Sequence, residues 1–401
     1  MKHFLRPWFA ALGAALLATA CGGGGGESAG PDGGIGGTGS PLGMLRLART
    51  DAPSCGYSAV HLSIERVRVH QSATADDTAA GWSEIVLAPT KRVNLLDLQN
   101  GVLEELGQVQ LPAGQYTQLR LVLAANGGAT PLANSVTPSG GSETALDTPS
   151  AQQSGLKLNL NLTVPAGQVA DFVLDFDACK SVVRRGNSGR YNLKPVVAVL
   201  PRLADAGLRV QGYVAPALAA GGAQVSLQFD GQPVKATVPD PASGRFVLYP
   251  VPAGSYTLVV SASGHASAVV TGVPVVSGTP TVVNSAALPI QPPASSTPWR
   301  RVAGSVLPAS ATVRAWQRLS GGPVVELAWA PVDASSGAFE FSLPSDAPVR
   351  AAYVPNPVVL SFTSDTDVAG RYTVEATLDG VLKPQPIDTR AAVPELSFSF
   401  P

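Results

Sequence analysis

The chain predicts an all-β protein made of serial β-sandwich-like domains, and three observations carry that prediction. Apolar and polar residues alternate over several short runs, the mark of half-buried strands. Glycine and proline punctuate these runs, 42 and 35 of 401 residues, which is high for a globular chain and below the level that marks disorder. A helical period persists nowhere beyond the N-terminal segment, apart from one or two turns around Val102 to Leu106. With 45% hydrophobic residues, many of them Val, Leu and Ala, the chain has the material for cores.

Strands follow from the alternation in chain order. Residues 43–47 open the first. Over 59–70, Val60, Leu62 and Ile64 share one face before Val67 and Val69 take over, so a bulge is expected near Glu65 and Arg66. Another strand begins at Gly81-Trp82. Asn100-Gly101, with φ > 0 tolerated at both positions, predicts a tight turn after residues 93–98. A strand over 117–123 follows the turn Leu111-Pro112-Ala113-Gly114-Gln115-Tyr116. Residues 126–154, rich in Gly, Ser, Thr and Pro, read as a long surface loop. Leu156, Leu158, Leu160, Leu162 and Val164 alternate with polar residues in the clearest strand of the chain. Phe172, Leu174 and Phe176 repeat the pattern, and residues 191–200 close the domain.

The N-terminus carries an address. Lys2 and Arg6, an apolar run over 8–17, and Ala18, Thr19 and Ala20 make a secretory signal peptide over 1–20. The apolar run is too short to span a bilayer, which takes about 20 residues. Cys21 follows directly, with Leu17 just upstream, and this resembles the lipobox of bacterial lipoproteins. There the thiol is diacylated and becomes the new N-terminus, anchoring the protein to a membrane. The competing reading is an ordinary cleaved signal with an incidental cysteine, since Ala18 stands where lipoboxes more often carry leucine. Residues 21–41, beginning with five glycines, form a flexible tether with a reach of about 25 Å. Gly22, where an aspartate would retain the protein at the inner membrane in enteric-type sorting, resembles an outer-membrane address.

The landmarks of the first domain carry a second resemblance. Thr50-Asp51-Ala52-Pro53, the strand over 60–69, Gly81-Trp82, the Leu-Pro-Ala-Gly-Gln-Tyr turn and Tyr191-Asn192-Leu193-Lys194-Pro195 resemble the bacterial lipoprotein family called domain of unknown function 4382, over roughly 42–202 of a domain at 42–204. That family has no assigned activity and lends no catalytic residue. Residues 207–290 contain Ser243-Gly244-Arg245-Phe246 and then Pro252-Ala253-Gly254-Ser255-Tyr256, similar to the carboxypeptidase regulatory-like, or transthyretin-like, β-sandwich module. A proline-rich linker is expected over 291–299. Residues 300–401 echo the module with Ser336-Gly337-Ala338-Phe339, but the following turn, Pro344-Ser345-Asp346-Ala347-Pro348, lacks the glycine, so a second, divergent sandwich is expected in a beads-on-a-string body.

Chemistry is sparse. The net charge is −1, which gives no sign of a nucleic-acid partner. No cofactor is expected, and no nucleophile elbow, zinc-protease helix or Cys-x-x-Cys pair occurs. With Cys21 committed to lipid, Cys55 and Cys179 are expected to pair in an oxidising compartment, closing a loop of about 125 residues nominally worth 4–5 kcal/mol; two reduced, buried cysteines are the alternative. Lys180, Arg184, Arg185, Arg190 and Lys194 follow Cys179 as a candidate loop for an anionic ligand, set against a solvated hairpin tip. Asp171, Asp175 and Asp177 share one strand face, a weak calcium candidate set against a solvated outer face. His61 and His70 make a weaker metal candidate still, and His265 sits in a turn. Trp82, Trp299, Trp316 and Trp329 stack on sugars if exposed, or pack in cores if not. The resulting expectation is a lipid-anchored, non-catalytic envelope protein that binds or scaffolds polysaccharide or protein. A glycan-acting hydrolase and a passive spacer are the alternatives.

Overall fold

A computed structural model describes residues 41–51, 56–149, 151, 154–202, 205, 207–355 and 359–401. The signal segment, Cys21 and the tether up to residue 40 lie outside the described residues, as does Cys55. Ser40–Pro401 forms one compact unit, and no described helix is long and apolar enough to cross a membrane.

The first domain buries one face of each of two sheets against the other. A four-stranded sheet runs in the order Val197–Pro201, Val169–Phe176, Leu42–Asp51, Glu104–Pro112. The larger sheet is centred on Tyr57–His70, Gly114–Leu123 and Leu156–Val164, with Ser83–Asn94 also paired to Tyr57–His70. Between them lie Leu45, Leu47, Leu174 and Phe176 from the first sheet and Leu62, Leu119, Leu121 and Leu162 from the second. The expected bulge is present: the register of Tyr57–His70 shifts between Ile64 and Arg66 against both neighbours. One extra residue therefore keeps Val60, Leu62, Ile64, Val67 and Val69 all buried.

Two local expectations are corrected. Residues 126–154 are not simply a loop, because Ser135–Pro138 and Thr144–Asp147 join the larger sheet as a hairpin and bury Val136 and Leu146 completely. The Asn126 and Asn134 side chains bond the surrounding backbone there, including Ser63 N at 3.0 Å, so polar residues do the work that apolar ones do elsewhere. The helical turn expected near Val102 is also absent. A short 3₁₀ helix lies instead at Leu95–Leu98, started by the Asn94 side chain, and Glu104–Pro112 is strand. Asn100 and Gly101 between them adopt positive φ, as the turn requires.

The second and third domains share one topology. Val210–Tyr213 pairs antiparallel with Arg245–Leu248 and parallel with Thr281–Val282. In the same way, Arg300–Leu307 pairs antiparallel with Ala338–Leu343 and parallel with Leu396–Ser399. Each three-stranded sheet faces a four-strand antiparallel set: Gln232–Thr237, Gln224–Phe229, Gly254–Ser261, Ala268–Val275 in one, and Val324–Ala330, Thr312–Arg318, Arg371–Leu378, Val381–Asp388 in the other. The turn before the phenylalanine strand is also repeated. Asp240 and Asp333 each accept a hydrogen bond from the amide of the serine three residues on, and Gly244 and Gly337 then adopt φ of +70°. A Cβ at either glycine would lie 2.0–2.2 Å from the carbonyl oxygen of Val214 or Val306. Only glycine fits both the angle and the approach.

The domains follow in series but are not independent beads. Between Ala338–Leu343 and Arg371–Leu378 the third domain sends out Val349–Ala352, which pairs in parallel with Ala268–Val275 of the second domain, and Thr363–Ser364 pairs on its far side. That excursion covers a sheet edge otherwise left open. The proline-rich segment is likewise tied down: Ile290 bridges Val214, Ala294 bridges His265, and Ala266 N donates to Pro293 O at 3.0 Å.

Candidate binding cleft

The site begins with one helical turn. Asp177 caps Ala178–Ser181, its carboxylate accepting from Lys180 N at 3.0 Å. This turn ends the strand Val169–Phe176 and aims Lys180 at the third domain. The Lys180 ammonium lies 3.1 Å from Glu326 Oε1, 3.7 Å from Asp177 Oδ2 and 4.6 Å from the centre of the Trp329 ring. Glu326 in turn meets Arg314 at 3.6 Å, and Arg314 meets Glu375 at 2.8 Å. The Gln228 amide bonds both backbone groups of Glu326 at 2.8 Å, so the second domain grips the same strand. Burial pushes the Asp177 carboxyl above the usual carboxylate range, against the pull of Lys180.

Around this network the three domains leave a cleft of about 330 Å³. Trp299 and Trp329 lie in its wall with Ser226, Ser261, Ser263 and Gln224. The Trp299 indole donates to His265 O at 3.0 Å and Ser295 Oγ at 3.3 Å, which fixes its ring. Two indoles, one of them beneath the Lys180 ammonium, in one wall with hydroxyl and amide groups suit a polar ligand that also has apolar faces, and junctions between domains are where such clefts commonly form.

The structure disperses the candidate anionic-ligand loop. Lys180 belongs to the cleft network. Arg185 and Arg190 both bind Asp147, at 3.0 and 2.7 Å. Lys194 donates to Ser310 O at 2.7 Å, and burial lowers its pKa. Arg184 is exposed, but its carbonyl accepts from Ala334 N, and Gly186 N donates to the Asp333 carboxylate. The loop is a dock for the third domain, with four of its five cations spent on neighbours.

The three aspartates part company in the same way. Asp171 lies 3.4 Å from Arg46, Asp175 binds Lys235 Nζ at 2.6 Å, and Asp177 caps its helical turn. Of the three, Asp175 is buried against the second domain, while Asp171 and Asp177 stay half-buried beside cations of the first. No group of three metal-ligating side chains occurs among the described residues. His61 lies 3.8 Å from Glu143, while His70 packs against Trp82 and His265 bonds Ser263 O at 3.0 Å. Trp82 lies between the guanidinium groups of Arg68 and Arg120, at 4.6 and 5.0 Å, and donates to Asp76 O. Trp316 lines a separate concavity on the third domain. Cys179 lines the cleft at the domain junction, and its expected partner Cys55 lies outside the described residues.

Lys235, Gln228, Arg314 and Glu326 were not singled out from sequence. The signal for Glu326 is a carboxylate inside Val324-Val325-Glu326-Leu327-Ala328-Trp329, and for Lys235 a cation inside a short apolar strand. A charge at such a position must find a partner, here on another domain.

Residues 42–195 match the model of a domain of unknown function (DUF4382), and residues 209–288 match the carboxypeptidase regulatory-like domain. Among solved structures the chain is similar to a chain in a type II cohesin–X-dockerin complex from Acetivibrio cellulolyticus, at 24% identity and a TM-score of 0.17, over 20% of this chain and 55% of that one. That likeness is too slight to carry an argument. No curated protein matches the chain.

Proposed function

We propose that this chain is a lipid-anchored cell-envelope protein, tethered through Cys21 at the outer membrane, that binds envelope polysaccharide without transforming it. The observation that carries this reading is the cleft where three domains meet, framed by Trp299 and Trp329 and lined with serines and glutamine. Its charged groups are engaged with one another, Lys180 with Asp177 and Glu326, and Glu326 with Arg314. Such pairing leaves hydrogen-bonding and stacking as the groups on offer, which favours recognition over catalysis. The proposal includes the Cys55–Cys179 bond, which would fasten the helical turn carrying Lys180 in an oxidising compartment. A passive spacer has no use for two indoles around a polar cleft.

One observation favours the hydrolase alternative: Asp177 and Glu326 converge on Lys180, and a carboxyl of raised pKa beside a second carboxylate is the pattern of glycoside cleavage. The experiment that separates the two uses oxidised protein of residues 41–401 and purified envelope polysaccharide. Binding measured by co-sedimentation should persist, with no new reducing ends, and should weaken at least about tenfold in Trp329→Ala, a loss of about 1.4 kcal/mol. Reducing ends that appear with the wild type and vanish in Asp177→Asn or Glu326→Gln would establish the hydrolase instead.

A further inference from the structure

The third domain holds a second concavity, remote in chemistry from the first. Its four-stranded sheet turns Val313, Ala315, Val374 and Ala376 into the core, all fully buried. The alternate residues face outward, and the register places them in rows. Trp316 pairs with Thr373 and Thr373 with Pro386; in the next row Arg371 pairs with Asp388, with Arg318 at the end of the adjoining strand. These residues, with Val368 at one side, line an open trough of about 520 Å³.

Two features set this trough apart. Arg318 and Arg371 are exposed, and neither guanidinium has a hydrogen bond or ion pair among the described residues. Most other arginines of the protein are bound to carboxylates or carbonyls. Asp388, the one acid in the trough, is bonded by Arg390 as well as lying near Arg371, so the local balance stays positive. Trp316 also differs from Trp82 and Trp299, whose indoles donate to carbonyls at 2.9 and 3.0 Å. The Trp316 indole nitrogen is buried without a hydrogen-bond partner, and the Arg318 guanidinium lies over its ring, 6.0 Å from the centre.

We infer that the trough is a binding site for an acidic sugar residue, a uronic acid within a polysaccharide. Trp316 offers a flat apolar face to the sugar ring. The two guanidinium groups offer forked donors to its carboxylate, and Thr373 offers a hydroxyl to its ring hydroxyls. A single-stranded nucleic acid also stacks and carries anions, but its binding relies on a long basic groove, and the protein carries a net charge of −1. The inference does not rest on the cleft at the domain junction. It concerns different residues and a charged ligand.

The test uses the oxidised 41–401 protein with oligogalacturonate and oligomers of alginate as probes, each beside its carboxyl-reduced counterpart. Calorimetry should show binding of at least one uronate oligomer, weakened at least about tenfold by carboxyl reduction, by Arg318→Ala and by Arg371→Ala. Trp316→Ala should weaken it comparably. Both arginines are exposed, so these variants keep the fold, and Arg318→Lys should restore only part of the loss because a lysine lacks the fork. Trp329→Ala should leave uronate binding unchanged, which keeps the two sites distinguishable. No binding of any uronate oligomer, equal binding of the reduced oligomers, or binding indifferent to both arginine variants would overturn the inference. So would binding of oligothymidylate in preference to every uronate.

Discussion

His61 shows how a single residue ties this fold to pH. Its Nδ1 is buried without a hydrogen-bond partner, 3.8 Å from Glu143. Burial and nearby Arg92 lower its pKa below the ordinary 6.5, against the pull of Glu143 and Asp97. The unfolded chain therefore takes up the proton more readily than the folded one. Stability contributed by neutral His61 is complete above about pH 6.5 and falls as pH drops through the lowered value. Urea unfolding should show a midpoint that declines between about pH 7.5 and about pH 5.5, and His61→Gln should make that decline shallower. A slope identical in the variant would assign the decline to other groups. The tyrosines teach a different residue-scale lesson. Tyr116 and Tyr256 each donate to the proline carbonyl four residues earlier, at 2.8 Å, from the same Pro-Ala-Gly-x-Tyr turn. The third domain lacks that turn, yet Tyr372 reaches the Pro344 carbonyl at 2.8 Å from a strand 28 residues away. The motif was legible in the first two cases. In the third the bond survives with its donor moved along the chain, which no local pattern reveals.

At the scale of elements, alternation told which residues face a core but not what covers the opposite face. Leu156–Val164 alternates in the structure as it does in the sequence, with Leu158 and Leu162 buried and Lys157 and Asn159 exposed. Asp171, Asp175 and Asp177 read equally well as an outer face, and only the arrival of Lys235 from another domain makes Asp175 a buried partner. With side chains 1% and 8% exposed, the Lys235–Asp175 pair lies in an interface where removing one charge strands the other. Lys235→Ala or Asp175→Ala should each cost about 3–5 kcal/mol in denaturant unfolding, whereas the double change to Met and Leu should cost far less. Single substitutions with losses under about 1 kcal/mol would show that water reaches the pair, as at surface bridges. The same blindness misjudged the basic loop after Cys179. Its charges were visible in sequence, but Asp147, Ser310 and Glu326, which take up four of its five cations, lie far along the chain.

For the whole molecule, order of domains and repetition of modules were legible, and their interlocking was not. A parallel pairing between Val349–Ala352 and Ala268–Val275 joins segments about 80 residues apart, and Val259, Val269, Leu319 and Val325 form a small apolar cluster across the same boundary. Exposing such side chains costs about 1.5–3 kcal/mol each. Protein of residues 41–401 should therefore melt in one calorimetric transition, and a chain ended at residue 290 should melt lower and associate through its uncovered edge. Three separate transitions in the longer protein would restore the picture of independent beads. Interlocking also makes the cleft, because its walls come from all three domains and exist only when they are joined.

The most direct measurement is a titration of the oxidised 41–401 protein with soluble, carboxyl-reduced fragments of its own envelope polysaccharide, to which the uronate trough is blind, followed by intrinsic tryptophan fluorescence. The account predicts a saturable change that is lost from the signal when Trp299 and Trp329 are both replaced by phenylalanine and the binding weakened. A signal that never saturates, or one that persists with unchanged affinity in that double variant, would contradict the assignment of the junction cleft as a glycan site.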